Sequence, residues 1–329
     1  MTNCIRTSVT IVTSILILSA PFSSLSQTSQ DVWWPSKWGE DDKAGASNHV
    51  NNESVLAATQ LIRQGQIFEL GRVYEPAMPL RGERVFTQRI SATAGPQPER
   101  VSPLVARVEY LCTEIGHVGT QVDGLGHVSI RTSMSPTEVR FYNGHLERDV
   151  VSNSGLRHVG IENMKPLFTR GILIDVAREK GRMLQAGEEI LLEDITQALT
   201  AQNMSLDDIH AGDVVLINTG WGRQWENVDS DEYHDGAPGI GMQVARWLIE
   251  RDIVMVGSDT WNTEVQPHPD PDFNYAVHNE LLTKNGIYIQ ENLFLEELSA
   301  NNVFEFAYVF NRMPIRGATG SPGSPMAIR

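Results

Sequence analysis

The chain has 329 residues, enough for about two average domains or for one large α/β domain. A composition of 41% hydrophobic and 20% charged residues supports a sizeable core and excludes wholesale disorder. The 26 Lys and Arg residues against 41 Asp and Glu residues give a formal charge of −15, which disfavours nucleic acids and anionic membranes as partners because it repels their phosphates.

The first 26 residues have the layout of a secretory signal peptide. Arg6 precedes a mostly apolar run at 9–20, and small residues suit cleavage before Gln27. The run is shorter than the roughly 20 residues that span a bilayer, which disfavours an uncleaved anchor helix. We therefore expect residues 27–329 to form the mature domain, periplasmic or secreted, with no membrane attachment after cleavage.

Strand and helix signals alternate along the rest of the chain. Apolar spacing predicts helices at 53–64, 239–251 and 275–284. Continuous apolar runs predict strands at 171–177, 213–218, 253–256, 287–290 and 303–310. The Gly/Pro/Ser-rich tail at 317–325 is typical of a loop. Strands that are apolar throughout belong to sheets covered on both faces, so we predict a single α/β domain with a central, mostly buried mixed sheet flanked by helices.

The most informative segment is 114–127, E-I-G-H-V-G-T-Q-V-D-G-L-G-H. Alternate side chains of a strand share a face, and the residues that would share one here are His117, Gly119, Gln121 and Asp123. His and Asp are strong metal ligands, and Gln offers an amide oxygen. Gly124 and Gly126 allow a tight turn that would return His127 to that face. Spacing alone leaves a metal site and an ordinary half-exposed strand equally open.

This segment closely resembles the H-x-G-T-[H/Q]-x-D-x-x-x-H signature of the cyclase-like metal-dependent hydrolases, the superfamily of bacterial kynurenine formamidases and isatin hydrolases. Further segments resemble motifs of its longer members, in the same order. They are W-G-E-D-D-K-A-G-A-S-N at 38–48, G-D-V-V-L-I-N-T-G-W at 212–221, H-N-E-L-L at 278–282, G-I-Y-I-Q-E-N-L at 286–293 and G-A-T-G-S-P at 317–322. The resemblance extends over residues 33–329, and it implies the cyclase-like swivelling β/β/α fold.

The resemblance also implies a role for each matching position. His117 and Asp123 match metal ligands, and His127 matches the catalytic histidine. His278 and Glu291 match further metal-site positions. Glu291 could bind the metal or accept a proton from water, so it is a candidate for both roles.

Position 121 departs from the formamidases, which have His where this chain has Gln121. An amide oxygen is a weaker and harder donor than an imidazole nitrogen. The substitution favours one divalent ion, Zn²⁺ or Mn²⁺, over a two-metal centre, with Gln121 as a candidate ligand.

Trp38 and Trp221 are candidates for binding a small-molecule substrate, since large flat side chains bury area at little entropic cost. Tryptophans near a chain end are equally typical of a surface that covers a neighbouring subunit. We therefore also expect a homo-oligomer.

Together these features predict an exported metal-dependent hydrolase that opens a C–N bond of an aryl formamide or a small cyclic amide. Water activated by the metal would be the nucleophile, with His127 as the proton shuttle. An arylformamidase-like activity of this kind would imply a role in tryptophan catabolism. Two alternatives stay open: a lactone hydrolase or dehydratase on the same site, because one nucleophile attacks esters and amides alike, and a periplasmic solute-binding protein without turnover.

Overall fold

The computed structural model of the protein describes residues 32–92, 106–133, 138–227 and 229–329. The predicted signal peptide, residues 1–26, lies outside the described residues. In chain order the strands are β1 (Ile67–Glu69), β2 (Phe86–Ala92), β3 (Arg107–Thr113), β4 (Gln121–Asp123), β5 (Ile130–Arg131), β6 (Val139–Arg140), β7 (Val151–Ser152), β8 (Gly155–Leu156), β9 (Leu167–Asp175), β10 (Glu189–Ile190), β11 (Val214–Asn218), β12 (Gly239–Ile240), β13 (Met255–Ser258), β14 (Tyr288–Glu291), β15 (Glu305–Phe310), β16 (Gly320–Pro322) and β17 (Met326–Ile328).

The helices are short. They are α1 (Asn52–Thr59), α2 (Glu147–Val150), α3 (Val176–Glu179), α4 (Leu192–Ala201), α5 (Ser230–His234), α6 (Met242–Glu250), α7 (Ala276–His278) and α8 (Glu296–Ala300). A π-helix, Asn279–Lys284, continues directly from α7. Single 3₁₀ turns are Gly45–His49, Tyr142–Gly144, Ile161–Asn163, Leu206–Asp208, Trp221–Gln224 and Pro271–Phe273. Within the described ranges, no helix has the length and apolar character needed to cross a membrane.

Nine of these strands form one mixed sheet in the order β1-β17-β15-β9-β11-β13-β14-β4-β16. The four strands from β9 to β14 in this order run parallel to one another. Antiparallel strands continue the sheet on both sides, with β15 next to β9 and β4 next to β14. Residues Trp33–Arg329 form one compact unit around this sheet. The predicted fold class, an α/β domain with a central mixed sheet, is confirmed.

The sheet centre forms where the sequence is continuously apolar. Every residue of β11 and of β13 is buried, because helices cover both faces of the parallel strands. α6 places Val244, Trp247 and Leu248 on one side, so its apolar stripe packs on the sheet while its polar side faces solvent. The core therefore follows directly from the two hydrophobic periodicities of the chain.

Several element ends differ from the predicted ones. The predicted strand at 171–177 is Leu167–Asp175, and it ends where the Asp175 side chain accepts the N–H of Arg178 and caps α3. The predicted helix at 53–64 ends earlier, at Thr59. The predicted helix at 275–284 is divided into α7 and the π-helix.

The tail at 317–325, which the sequence predicts to be a loop, contains β16. This strand pairs antiparallel with β4, with Gly320 opposite Asp123 and Pro322 opposite Gln121. A three-residue strand that contains Gly and Pro has no detectable alternation of apolar residues, so the loop prediction was wrong there. The pairing covers the edge of β4 and brings the tail to the metal-ligand motif.

Candidate metal centre

The candidate site is built on β4, which lies between β14 and β16. Gln121 and Asp123 are two residues apart on this strand, so their side chains point to one face. Glu291 of β14 pairs directly with Gln121, and directly opposed residues of an antiparallel pair share a face. The Gln121 amide Nε2 donates to Glu291 Oε2 at 2.8 Å. The register of the sheet therefore places one amide and two carboxylates together.

His117 reaches these side chains from a turn. The alternation predicted from His117 to Asp123 requires extended backbone, but only Gln121–Asp123 is a strand. The His117 N–H donates to Glu114 O at 2.9 Å and closes a turn ahead of β4. His117 Nδ1 still lies 3.2 Å from Asp123 Oδ1, and its Nε2 lies 2.9 Å from Thr319 Oγ1. A contact with the tail therefore orients this ring.

His127 returns to Asp123 through a tight turn, as the glycines of the motif predict. Its N–H donates to Gly124 O at 2.9 Å, and its Nε2 lies 3.8 Å from Asp123 Oδ2. The His117 and His127 rings stack with centroids 4.3 Å apart. We call Asp123, His117 and His127 the outer group, because the two histidine side chains are 14% and 29% exposed. One ligand atom from each member lies within 4.8 Å of the others.

A second group shares Asp123 and lies deeper. His278, the last residue of α7, has its Nε2 3.7 Å from Asp123 Oδ2 and 3.6 Å from Glu291 Oε1. Its Nδ1 lies 2.9 Å from Glu264 Oε1, and Glu264 also accepts the Val277 N–H at 2.7 Å. We call Asp123, His278 and Glu291 the inner group. Their side chains are at most 5% exposed, and their ligand atoms also lie within 4.8 Å of one another.

The close charges shift the pKa values in opposite directions. Burial favours a higher pKa for Asp123, but the surrounding histidines hold it well below its usual range. Burial favours a lower pKa for His278, but its carboxylate neighbours raise it well above the usual value. Burial and the charge of Asp123 raise the pKa of Glu291. Burial lowers the pKa of His127 to about 4, against the opposing effect of Asp123. In the metal-free protein at neutral pH, His278 is thus protonated and His127 is neutral.

The residues fit a divalent metal ion. One buried oxygen, Gln121 Oε1, has no hydrogen-bond partner among the described residues. Buried polar atoms without a partner are rare and need an explanation, which a bound cation supplies. Imidazole nitrogens and carboxylate oxygens are the ligands of Zn²⁺, and Mn²⁺ accepts the same set. Of the sequence-predicted metal residues, the structure brings together His117, Gln121, Asp123, His278 and Glu291.

A cavity of about 110 Å³ opens onto both groups. Glu264 behind His278 was not predicted from the sequence. The same is true of several side chains that line the cavity, among them Arg81, Arg84, His234, Trp261 and Tyr275. They come from several separate segments of the chain, mostly loops, with His234 at the end of α5. No local spacing or composition distinguishes them, so only the folded chain identifies them.

Trp38 and Trp221 lie away from this cavity. Trp38 packs edge-on against His49, with ring centroids 5.2 Å apart, beside a separate cavity of about 180 Å³. Trp221 is buried in a hydrophobic cluster with Trp225 and Tyr233. Neither tryptophan is among the described residues that line the cavity at the metal groups. Their role in substrate binding stays a prediction.

Comparisons with known proteins agree with this geometry. A family model described as putative cyclase matches residues 21–265. The chain is 28% identical to a solved structure described as a novel cyclase, over 89% of this chain and 98% of that chain, with a TM-score of 0.75. No match was found among curated proteins.

Two isatin hydrolases are more distant structural neighbours. Isatin hydrolase A from Labrenzia aggregata, bound to benzyl benzoate, is 19% identical over 82% of this chain and 94% of its own, with a TM-score of 0.56. Isatin hydrolase A from Ralstonia solanacearum is 20% identical over 84% of this chain and 97% of its own, also with a TM-score of 0.56. At this identity the likeness establishes a shared fold.

Proposed function

Since this chain belongs to the putative cyclase family, we propose that it is a metal-dependent hydrolase that opens the C–N bond of an aryl formamide or a small cyclic amide. The observation that carries the proposal is the convergence of three imidazoles and the Glu291 carboxylate around Asp123. The structural neighbours named isatin hydrolase A support a C–N bond as the target.

Asp123 would hold the ion, because it is the member shared by the inner and outer groups. His278 and Glu291 would complete the ligand set from the buried side, and His117 from the side of the cavity. The unpartnered Oε1 of Gln121 would add an oxygen ligand or orient a water molecule. A divalent ion in this set, Zn²⁺ or Mn²⁺, supplies a Lewis acid and lowers the pKa of water toward ~7.

His127 would serve as the proton shuttle. Its ring is neutral at neutral pH and one ring nitrogen carries no proton, so this nitrogen can accept one. The side chain is 29% exposed and lines the cavity, so the same ring would then pass the proton to the departing nitrogen. Glu291 offers a second acceptor, because burial and Asp123 raise its pKa.

Metal analysis of the purified protein, together with turnover of N-formylkynurenine, isatin and simple lactones, tests the proposal. We expect about one divalent ion per chain and hydrolysis of at least one amide. His127→Gln should keep the ion and lose turnover, whereas Asp231→Asn, at an exposed site, should behave as the parent. Turnover of lactones alone would favour the lactonase alternative. Tight binding of these compounds without turnover would favour a solute-binding protein.

Two further expectations from the sequence belong to this proposal. Residues 1–26 would direct export, so the mature protein should begin near Gln27 and fractionate with the periplasm or the medium. Light scattering should give the mass of a homo-oligomer. An intact Met1 on cytosolic protein would contradict export, and a monomeric mass would contradict the oligomer.

A further inference from the structure

A four-residue turn at the cavity carries two arginines. The Arg84 N–H donates to Arg81 O at 3.3 Å, and Gly82 within the turn has a φ of +61°, in the region that favours glycine. The first and fourth residues of a β-turn lie close together. Arg81 and Arg84 therefore reach the same cavity, and both line it.

Neutral groups anchor each guanidinium. Arg81 Nη2 donates to the Tyr275 hydroxyl at 2.9 Å, and its Cζ lies 4.4 Å from the centroid of the Trp261 ring. Arg84 Nη1 donates to His117 O at 2.6 Å. These contacts hold both guanidiniums in place and leave further N–H groups of each without a partner among the described residues.

Neither arginine forms a close ion pair with a carboxylate in the described part of the chain, and each guanidinium is hydrogen-bonded to a neutral oxygen. The hydrogen bond from the Val85 N–H and, to a lesser extent, the charge of Arg84 lower the pKa of Glu114, which acts on Arg84 from a longer distance. Asp231, Glu232 and Asp235 share an open cavity with Arg81 on its outer side, but they do not pair with it. Each guanidinium therefore keeps N–H donors that a planar, bidentate ligand such as a carboxylate can bind.

The charge of this cavity contrasts with that of the whole protein. The chain carries −15, so the molecule repels anions at long range. Inside the cavity, the carboxylates of Asp123 and Glu291 belong to the proposed metal ligands. The two guanidiniums are left as positive charge that a bound anion would balance.

We propose that Arg81 and Arg84 bind a carboxylate that the substrate carries beside its scissile amide. The inference rests on the proposed function and narrows it to anionic aryl amides. Guanidinium and carboxylate form paired N–H···O bonds, so the turn would fix the orientation of the substrate as well as its charge. Because Arg84 contacts the backbone oxygen of His117, a carboxylate bound by this arginine would lie close to the metal groups, beside the amide that is to be opened. A cavity of about 110 Å³ suits a small substrate of this kind.

A matched pair of substrates tests the proposal. 2-Formamidobenzoate and formanilide share the ring and the formamide and differ only in the carboxylate. We expect the wild-type protein to prefer 2-formamidobenzoate in kcat/KM. This preference should fall about 10- to 100-fold in Arg81→Gln and in Arg84→Gln, the range expected for a lost charged hydrogen bond.

Arg89→Gln is the matched control, because Arg89 lies exposed on β2 and its loss changes the net charge equally. It should leave the preference unchanged, and Arg84→Lys should restore part of it. Arg81 has no contact with His117, so Arg81→Gln stays informative if Arg84→Gln disturbs the metal groups. An unchanged preference in the double variant would overturn the proposal.

Calorimetry with anthranilate and aniline, the amines that the two hydrolyses release, separates this proposal from the proposed function. We expect zinc-loaded wild-type protein to bind anthranilate more tightly than aniline, and we expect this difference to disappear in the double variant. Equal binding of both amines would overturn the carboxylate site, as would anthranilate binding that persists without the arginines. Arginine-dependent binding of anthranilate without turnover of either formamide would support the carboxylate site and count against the proposed hydrolysis.

Discussion

The inner and outer groups share Asp123 but differ in how they are held. The inner group comes from the sheet and from α7, it is almost fully buried, and Glu264 orients its histidine. The outer group comes from turns on either side of β4, and its two histidines line the cavity. The Asp123 carboxylate is thus shared between the buried inner group and the outer group, whose histidines are partly exposed.

This difference predicts separate roles for the two groups, one in metal affinity and the other in turnover. A buried ligand set with oriented partners loses little entropy when it binds a cation, so it favours affinity. Partly exposed rings can exchange protons with a substrate or with solvent, so they favour turnover. The inner group, together with His117, should therefore control metal content, and His127 of the outer group should control the rate.

The largest effect should follow the loss of the shared residue. Asp123→Ala removes a ligand from both groups and leaves His278 beside fewer negative charges. We expect metal content and activity to fall to background, as measured by elemental analysis and turnover. His117→Ala should lose both as well. Full metal occupancy in either variant would show that the ligand assignment is wrong.

A smaller effect, on metal affinity alone, should distinguish the inner group from the outer group. Glu264→Gln removes the charge that orients His278 without touching the outer group. We expect metal affinity to fall by up to about 100-fold, the upper range for the partner of a ligating histidine. Competition with a metal chelator measures this affinity. The control is Glu280→Gln, since Glu280 pairs with Lys284 away from the site. Equal metal affinities for Glu264→Gln and Glu280→Gln would contradict the separate roles of the inner and outer groups.

Gln121 contacts Glu291 of the inner group and lies two residues from the shared Asp123 on β4. We expect its variants to change the rate more than the metal content. Gln121→Ala removes an amide that donates to Glu291 and has a free oxygen. We expect kcat to fall about 10-fold, as for other groups that orient reacting partners, with little loss of metal. Gln121→His adds an imidazole and should raise metal affinity or stoichiometry. Parent-like kinetics and metal titration for Gln121→Ala would make Gln121 a structural residue.

The smallest effect concerns protons in the metal-free protein. His127 has a folded-state pKa of about 4, below the usual 6.5, so the unfolded chain binds its proton more readily. Its contribution to stability is complete above pH 6.5 and is lost as the pH falls through 4. In NMR titrations, His127 should be neutral and His278 charged at pH 7. His127→Gln should reduce the loss of unfolding free energy between pH 6.5 and 4, and an unchanged slope would contradict the assignment.

Much of the fold could be predicted because it is built from long, regular segments. β11 and β13 are fully apolar runs, and α6 has a clear apolar stripe. The part that could not be predicted consists of short elements such as β16, whose three residues form a strand only because β4 offers them an unpaired edge.

The candidate site, like the fold, could be predicted from the sequence only in part. The local motif predicted that His117, Asp123 and His127 meet, because it places all three within eleven residues around a glycine turn, although His117 reaches the others from a turn and not from the strand. Only the tertiary structure decided that Gln121 faces Glu291, that Glu264 supports His278, and that two arginines line the cavity. Periodicity of side chains is a property of neighbouring residues and can be read in the chain. The contact of Gln121 with Glu291, 170 positions apart, depends on the order of strands in the sheet, and that of Glu264 with His278, 14 positions apart, depends on the path of the loop between them. No local pattern encodes either.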